Sequence, residues 1–313
     1  MTLDPEMKAI LEQIAAAKPP PLSSLSPAEA RAAFNRLRSF FTRGEVEAVA
    51  RCADREVPGP AGRIPIRAYT PRGGSPCGAM MFFHGGGWVL GDLDSHDNVC
   101  RALANAASAV IISVDYRLAP EHKFPAAPED CYAAAKWCAD NAKMLGFPTG
   151  HLAVGGDSAG GNLAAVVALM ARDRGGPSLR YQMIIYPAFD PTLAAASQKE
   201  FDQEGFVLSR ADMDWFWKHY LASPEDGRNV YADPMQAKDL SKLPPALVVI
   251  AGFDPLRDEG LAYADKLTDA GVNTVLRRYN GLTHGFFNMG TLIREAGRAV
   301  TQAGESLRTA LTN

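Results

Sequence analysis

LAVGGDSAGGNLAAVVALMA, from Leu152 to Ala171, joins a short apolar run to a longer alanine-rich one through glycines and a single serine. The first run, Leu152 to Gly155, predicts a buried strand, and the second, Leu163 to Ala171, predicts a helix. Between them Gly156-Asp157-Ser158-Ala159-Gly160 matches the pattern G-x-S-x-G, in which a serine is lifted on a strained strand-to-helix turn with its hydroxyl exposed. Small residues suit such a turn because the strand and helix backbones approach too closely for side chains. The rival reading is a phosphate loop, since Gly156 and Gly161 have that spacing. Asn162 and Leu163, however, stand where Lys and Ser or Thr would have to hold phosphate and magnesium. Ser158 is therefore the candidate nucleophile.

Outward from this stretch, short apolar runs alternate with helix-like segments from about residue 54 onward, the signature of βα units on a mostly parallel sheet. The buried-strand candidates are Ala79 to Phe83, Val110 to Val114, Leu152 to Gly155, Met183 to Tyr186, Ala246 to Ala251 and Thr274 to Tyr279. Residues 1 to about 50 read as separate helices, broken by Lys18-Pro19-Pro20-Pro21, the second opened by a capping box at Ser26-Pro27-Ala28-Glu29. The remaining 51–313 read as one catalytic domain with an insertion at about 188–240, far longer than one crossover helix requires. The insertion carries a helix candidate opened by Ser209-Arg210-Ala211-Asp212, with Trp215, Phe216, Trp217 and Tyr220 on it, and is expected to form a lid. Those aromatics serve either core packing or a substrate-facing wall.

Two further motifs lie at strand ends. His84-Gly85-Gly86-Gly87-Trp88 directly follows the strand Ala79 to Phe83, and its glycines allow backbone N–H groups to turn toward a carbonyl oxygen that gains charge. An HGGG-type loop has this role in lipases and esterases, together with the N–H after the nucleophile, here Ala159. A serine needs a base and an orienting acid, in the chain order Ser, acid, His. Of six histidines, only His219 and His284 follow Ser158. His219 falls inside the aromatic helix, so His284, just past the last strand, is the candidate base. Asp254 follows the strand Ala246 to Ala251 and is the favoured acid, with Asp258 and Glu259 as nearby alternatives on the next helix.

Taken together, HGGGW at 84–88, VDYRLAPE at 114–121, FPAAPED at 124–130, GDSAGG at 156–161, DPLRDEG at 254–260 and HGF at 284–286 resemble the hormone-sensitive-lipase-like family of α/β-hydrolases. The resemblance covers most of the chain. It implies an eight-stranded, mostly parallel sheet flanked by helices, with a helical cap built from the N-terminal helices and the insertion. It also implies Ser158, Asp254 and His284 as the triad, Gly86, Gly87 and Ala159 as the oxyanion donors, and serine carboxylesterase activity on short- to medium-chain esters. A homodimer is common among similar esterases. A triad reports acyl transfer and not which acyl group is moved, so a lactonase, amidase or lipase is the alternative. A small-molecule receptor on this scaffold would be expected to lack a triad member.

Composition narrows the rest. With 47% hydrophobic and 21% charged residues in 313, the chain is expected to be globular. A formal net charge of −3 leaves no basic excess for nucleic acid or an anionic membrane surface, which points to a small-molecule ester as partner. Five scattered cysteines fit reduced thiols in a cytoplasm, and Asp4 and Glu6 stand where an export signal would be basic. The longest apolar runs fall short of a bilayer span. Asp92, Asp94, His96 and Asp97 suggest metal ligands, but Asp97 and Leu103 occupy the positions where a calcium loop needs glycine and an acid, so a solvated helix start is expected. No metal and no organic cofactor is expected. Arg117 and Glu121 are expected to pair with each other, and Asp157 to brace the elbow. Trp88, Phe206, Leu208 and Trp215 are candidates for the substrate pocket, with Trp88 either lining the acyl site or packing under the cap.

Overall fold

Each apolar run marked as a strand forms one. The computed structural model describes residues 1–41, 46–202 and 207–313, with the backbone alone at 38–41. Eight strands, β1 (Arg51–Gly59), β2 (Gly62–Thr70), β3 (Ala79–Phe83), β4 (Val110–Val114), β5 (Leu152–Asp157), β6 (Tyr181–Ile185), β7 (Ala246–Phe253) and β8 (Thr274–Thr283), form one sheet in the order β1-β2-β4-β3-β5-β6-β7-β8. β2 runs antiparallel to both neighbours and the other pairings are parallel. β1 is mostly exposed and β2 alternates buried with half-buried residues, a weaker signal than the fully buried runs of β3 to β5.

The helices are α1 (Pro5–Ala16), α2 (Pro27–Phe41), α3 (Asp97–Ala107), α4 (Ala126–Asp140), α5 (Ala142–Leu145), α6 (Ala159–Asp173), α7 (Ala196–Glu200), α8 (Arg210–Tyr220), α9 (Arg257–Asp269) and α10 (Arg294–Thr312). Because side chains alternate across a strand, Met81, Phe83, Val154 and Val248 face a core shared with α4, α6 and α9. Met80, Phe82, Ala153, Leu247 and Val249 face a second core with α3 and α10. α6 is buried from Ala159 to Ala171 and is apolar there apart from Asn162.

The two N-terminal helices dock in different places. α1, capped by the Asp4 carboxylate, contributes Met7, Ile10 and Leu11 to the α3/α10 core. The Asp4 N–H donates to the Gly281 carbonyl on β8 at 2.9 Å. α2, opened by the Ser26/Glu29 capping box, contributes Ala30 to the opposite core, where α8 also packs. The Ser23 N–H donates to the Asp212 carboxylate at 3.2 Å, which ties the start of α8 to the chain ahead of α2.

The strand order reverses around β3: its neighbours are β4 on one side and β5 on the other. In open parallel sheets the crevice at the carboxyl ends of such strands is where ligands bind. Ser158 follows β5, the glycine loop follows β3, Asp254 follows β7 and His284 follows β8, so all four motifs emerge on that one edge. No helix of the described residues is long and apolar enough to cross a membrane.

Candidate active site

The elbow shows why its sequence is small. Ser158 sits at φ +57°, ψ −120°, a left-handed conformation costly for a residue with a Cβ. Its N–H donates to the Ile185 carbonyl at 2.9 Å, and its carbonyl accepts from Asn162 and Ala188 at 3.1 and 3.3 Å, so the turn is held on three sides. A Cβ on Gly160 would collide with the Phe83 carbonyl on β3, and one on Gly156 with both that oxygen and the Gly160 carbonyl. The turn places Ser158, 8% exposed, at the head of α6, while Asp254 is fully buried and His284 is 8% exposed.

Register does the rest. The last ladder pair between β7 and β8 is Phe253 with Thr283, so the next residues, Asp254 and His284, emerge side by side. His284 Nδ1 lies 2.8 Å from Asp254 Oδ2, and its Nε2 lies 3.0 Å from Ser158 Oγ. The other carboxylate oxygen of Asp254 accepts the Leu256 N–H at 2.8 Å, which fixes its orientation. The two alternative acids are engaged elsewhere. Asp258 accepts from the Ser197 N–H and pairs with Arg257. Glu259 accepts from the N–H groups of Phe189 and Asp190 at 2.5 and 2.7 Å, and its burial pushes its pKa up to about 8 against those two bonds.

The glycine loop is joined to the elbow by Asp157. Its Oδ1 accepts the Gly85 N–H at 2.9 Å and lies 3.0 Å from His96 Nε2, and the Tyr186 hydroxyl reaches its other oxygen at 3.4 Å. Burial alone would raise the Asp157 pKa, but the His96 ring and these hydrogen bonds outweigh it and hold the carboxyl below its usual range. His84, stacked on Tyr116 at 4.3 Å, is pushed down to about 4 by burial and the nearby His96, which keeps it neutral. Gly86 (φ +118°) and Gly87 (φ +58°) adopt backbone conformations that favour glycine, and a Cβ on Gly87 would run into the Phe216 ring of α8. The N–H groups of Gly86 and Gly87 have no acceptor among the described residues, and that of Ala159 is a first-turn helix donor without an intrahelical partner.

The pocket candidates divide. Trp88 is completely buried, its ring stacked on Tyr220 at 4.2 Å and tilted against Trp217 at 4.4 Å, so it packs beneath α8. Leu208 and Trp215 keep 7% and 8% of their surface exposed, and a side chain at Gly285 would touch the neighbouring Val207. Phe206 lies outside the described residues.

Some expectations are corrected by the geometry. Arg117 does not pair with Glu121: it forks onto Asp130 at 2.7 and 2.8 Å, and Glu121 is held by Arg31. The acids between 92 and 97 lead into α3 as a helix start, with Asp94 exposed, and are also held by protein contacts. Asp94 pairs with Arg67, Asp97 with Arg101 and the Tyr69 hydroxyl, and His96 with Asp157. Tyr186, whose ring lies 4.7 Å from His284, and Asn162, whose amide donates to the carbonyls of Ala188 and Ala232, carry no motif and were not singled out from the sequence. Only the position of Asn162 just behind the elbow could have pointed to it.

The chain is similar in sequence and fold to known proteins. A family model described as the alpha/beta hydrolase fold matches residues 80–288. The carboxylic ester hydrolase LipN of Mycobacterium tuberculosis is 49% identical over 242 residues, 75% of this chain and 64% of that protein. The ethyl acetate hydrolase of Pseudomonas putida is 35% identical over 317 residues, 98% of this chain and 99% of the other. A solved structure of a hyperthermophilic esterase from the archaeon Pyrobaculum calidifontis superposes with a TM-score of 0.95 at 46% identity, covering all of both chains.

Proposed function

The chain belongs to the alpha/beta hydrolase fold family and is a carboxylic ester hydrolase, and from that premise we propose that Ser158, His284 and Asp254 are its catalytic triad. One observation carries the reading: an unbroken chain of contacts from Ser158 Oγ to His284 Nε2 at 3.0 Å and from His284 Nδ1 to Asp254 Oδ2 at 2.8 Å. Neutral His284 takes the Ser158 proton as Oγ bonds to the ester carbonyl carbon. The carbonyl electron pair moves onto its oxygen, where the N–H groups of Gly86, Gly87 and Ala159 meet it. When the tetrahedral adduct collapses, the C–O bond to the alcohol breaks and imidazolium returns the proton to the leaving oxygen. Water then repeats the two steps, with His284 as base and then acid, and frees the carboxylic acid and Ser158. Asp254 keeps Nδ1 protonated throughout and faces the imidazolium. The cycle draws on no cofactor.

The N-terminal helices and the insertion are the proposed cap, with Leu208 and Trp215 as candidate walls of the substrate pocket. Short- to medium-chain esters suit a pocket roofed by α8, and the name of the Pseudomonas relative, an ethyl acetate hydrolase, supports the short end. The unpaired cysteines support a reducing, cytoplasmic setting, and the family resemblance extends the reading to a homodimer. The test is hydrolysis of p-nitrophenyl esters from acetate to palmitate by the wild type and by Ser158→Ala. Activity on butyrate or hexanoate that vanishes in the variant supports the reading. Activity retained in Ser158→Ala rejects it.

A further inference from the structure

Arg31, on α2, reaches across to the loop that carries the oxyanion glycines. Its Nε donates to the Val89 carbonyl at 2.9 Å and its Nη2 to the Ala119 carbonyl at 2.9 Å, while Nη1 and Nη2 fork onto Glu121 at 2.8 and 2.6 Å. The two carbonyls belong to one closed circuit of backbone bonds. The N–H groups of Val89 and Leu90 donate to the Gly86 carbonyl at 3.1 and 2.8 Å, and the Ala119 N–H donates to the Trp88 carbonyl at 2.9 Å. Arg31 thus closes a ring that runs from Gly86 through Trp88 to Ala119 and back through the guanidinium. Trp88, at φ +60°, is itself in a left-handed conformation that the surroundings must enforce.

The peptide carrying the Gly87 N–H shares its plane with the Gly86 carbonyl. Fixing that carbonyl therefore aims the Gly87 N–H. A planar guanidinium presents its donors in a rigid fork, which an ammonium at the end of a flexible stem cannot reproduce. We propose that Arg31 is a positioning residue for ester hydrolysis: by holding the Val89 and Ala119 carbonyls from the cap, it fixes the Gly86 carbonyl and so aims the Gly87 amide, which makes docking of α2 and completion of the oxyanion site one event. The inference rests on the reading that these amides hold the oxyanion. Misplacement by about 1 Å far from the reacting atoms can cost on the order of 100-fold in rate.

The experiment compares wild type, Arg31→Met, Arg31→Lys and Glu121→Gln in two assays: kcat and KM with p-nitrophenyl butyrate, and the inhibition constant of an alkyl trifluoromethyl ketone, whose serine adduct carries the oxyanion. Circular dichroism checks folding, and Glu121→Gln supplies the milder variant should Arg31→Met fail to fold. The expected result is a kcat lowered about tenfold or more in the Arg31 variants, KM within about twofold, and ketone inhibition weakened by the same factor as kcat, with a smaller loss of the same kind in Glu121→Gln. Unchanged kcat, or a change confined to KM with ketone binding intact, overturns the assignment. If the wild type binds the trifluoromethyl ketone no more tightly than the parent methyl ketone, the oxyanion reading itself fails and the role of Arg31 falls with it.

Discussion

Ser158 is legible in the sequence because its neighbours must be small: the glycines are a direct imprint of β3 running behind the elbow. His284 and Asp254 are legible for another reason, since each follows a strand by one residue and the fold aligns those strand ends. The bracing role of Asp157 was legible, but not its partners, and nothing in the sequence announced the contacts of Arg31. These contacts join residues 72 and 58 positions apart, and neither an aspartate nor an arginine in isolation announces its partner. Removal of Ser158 or His284 is expected to lower kcat by about 10⁴-fold or more, and Asp254→Asn nearly as much, while a double variant loses little beyond either single one. Steady-state kinetics on purified variants check this, and additive losses would deny that the three act as a unit. Glu259 gives a residue-scale prediction of pH behaviour. Its folded pKa, raised by burial to about 8, lies above the ordinary glutamate value of 4.5, so its share of stability is fully present below about 4.5 and is lost as pH rises through about 8. Glu259→Gln should therefore flatten the decline of Tm over that window, and parallel Tm profiles for the two proteins would refute it.

At the scale of elements, β5, the elbow and α6 succeed as a prediction because a fully buried strand and a fully buried helix leave little ambiguity in an apolar run. β1 and β2 were harder, since their exposed faces admit charged residues such as Arg51, Asp54, Arg55 and Arg67. The N-terminal helices are legible from composition, the proline break and the capping box of the second, but not their separation onto different faces. That separation depends on which sheet face each meets, and caps report only where a helix begins. The close approach of β3 and α6 has a measurable cost. Gly160→Ala would force a methyl onto the Phe83 carbonyl and should destabilise by about 1 to 3 kcal/mol or more, read as a lower denaturant midpoint with unchanged slope. A wild-type midpoint would mean that the backbones relax apart freely.

For the whole molecule, the sheet gathers four motifs on one edge, and the segments outside it are the proposed cap over them. Each buried CH₂ favours binding by roughly 0.8 kcal/mol, so kcat/KM should climb with acyl length only until the proposed acyl pocket is full. The expected optimum lies at butyrate or hexanoate, with acetate and palmitate both poorer. A series still rising at palmitate would show that α8 does not bound the pocket. Deleting roughly the first 40 residues should lower Tm and solubility, because Met7, Ile10 and Leu11 leave matching apolar surface on β8 and α10.

The most direct test of the central claim is covalent. Diethyl p-nitrophenyl phosphate should be attacked by the Ser158 oxygen with loss of p-nitrophenolate, and peptide mass spectrometry should find one diethylphosphoryl group, on Ser158, in proportion to lost activity. Labelling should slow sharply in His284→Ala and disappear in Ser158→Ala. Inactivation without a Ser158 adduct, or equal labelling of another residue, would contradict the account.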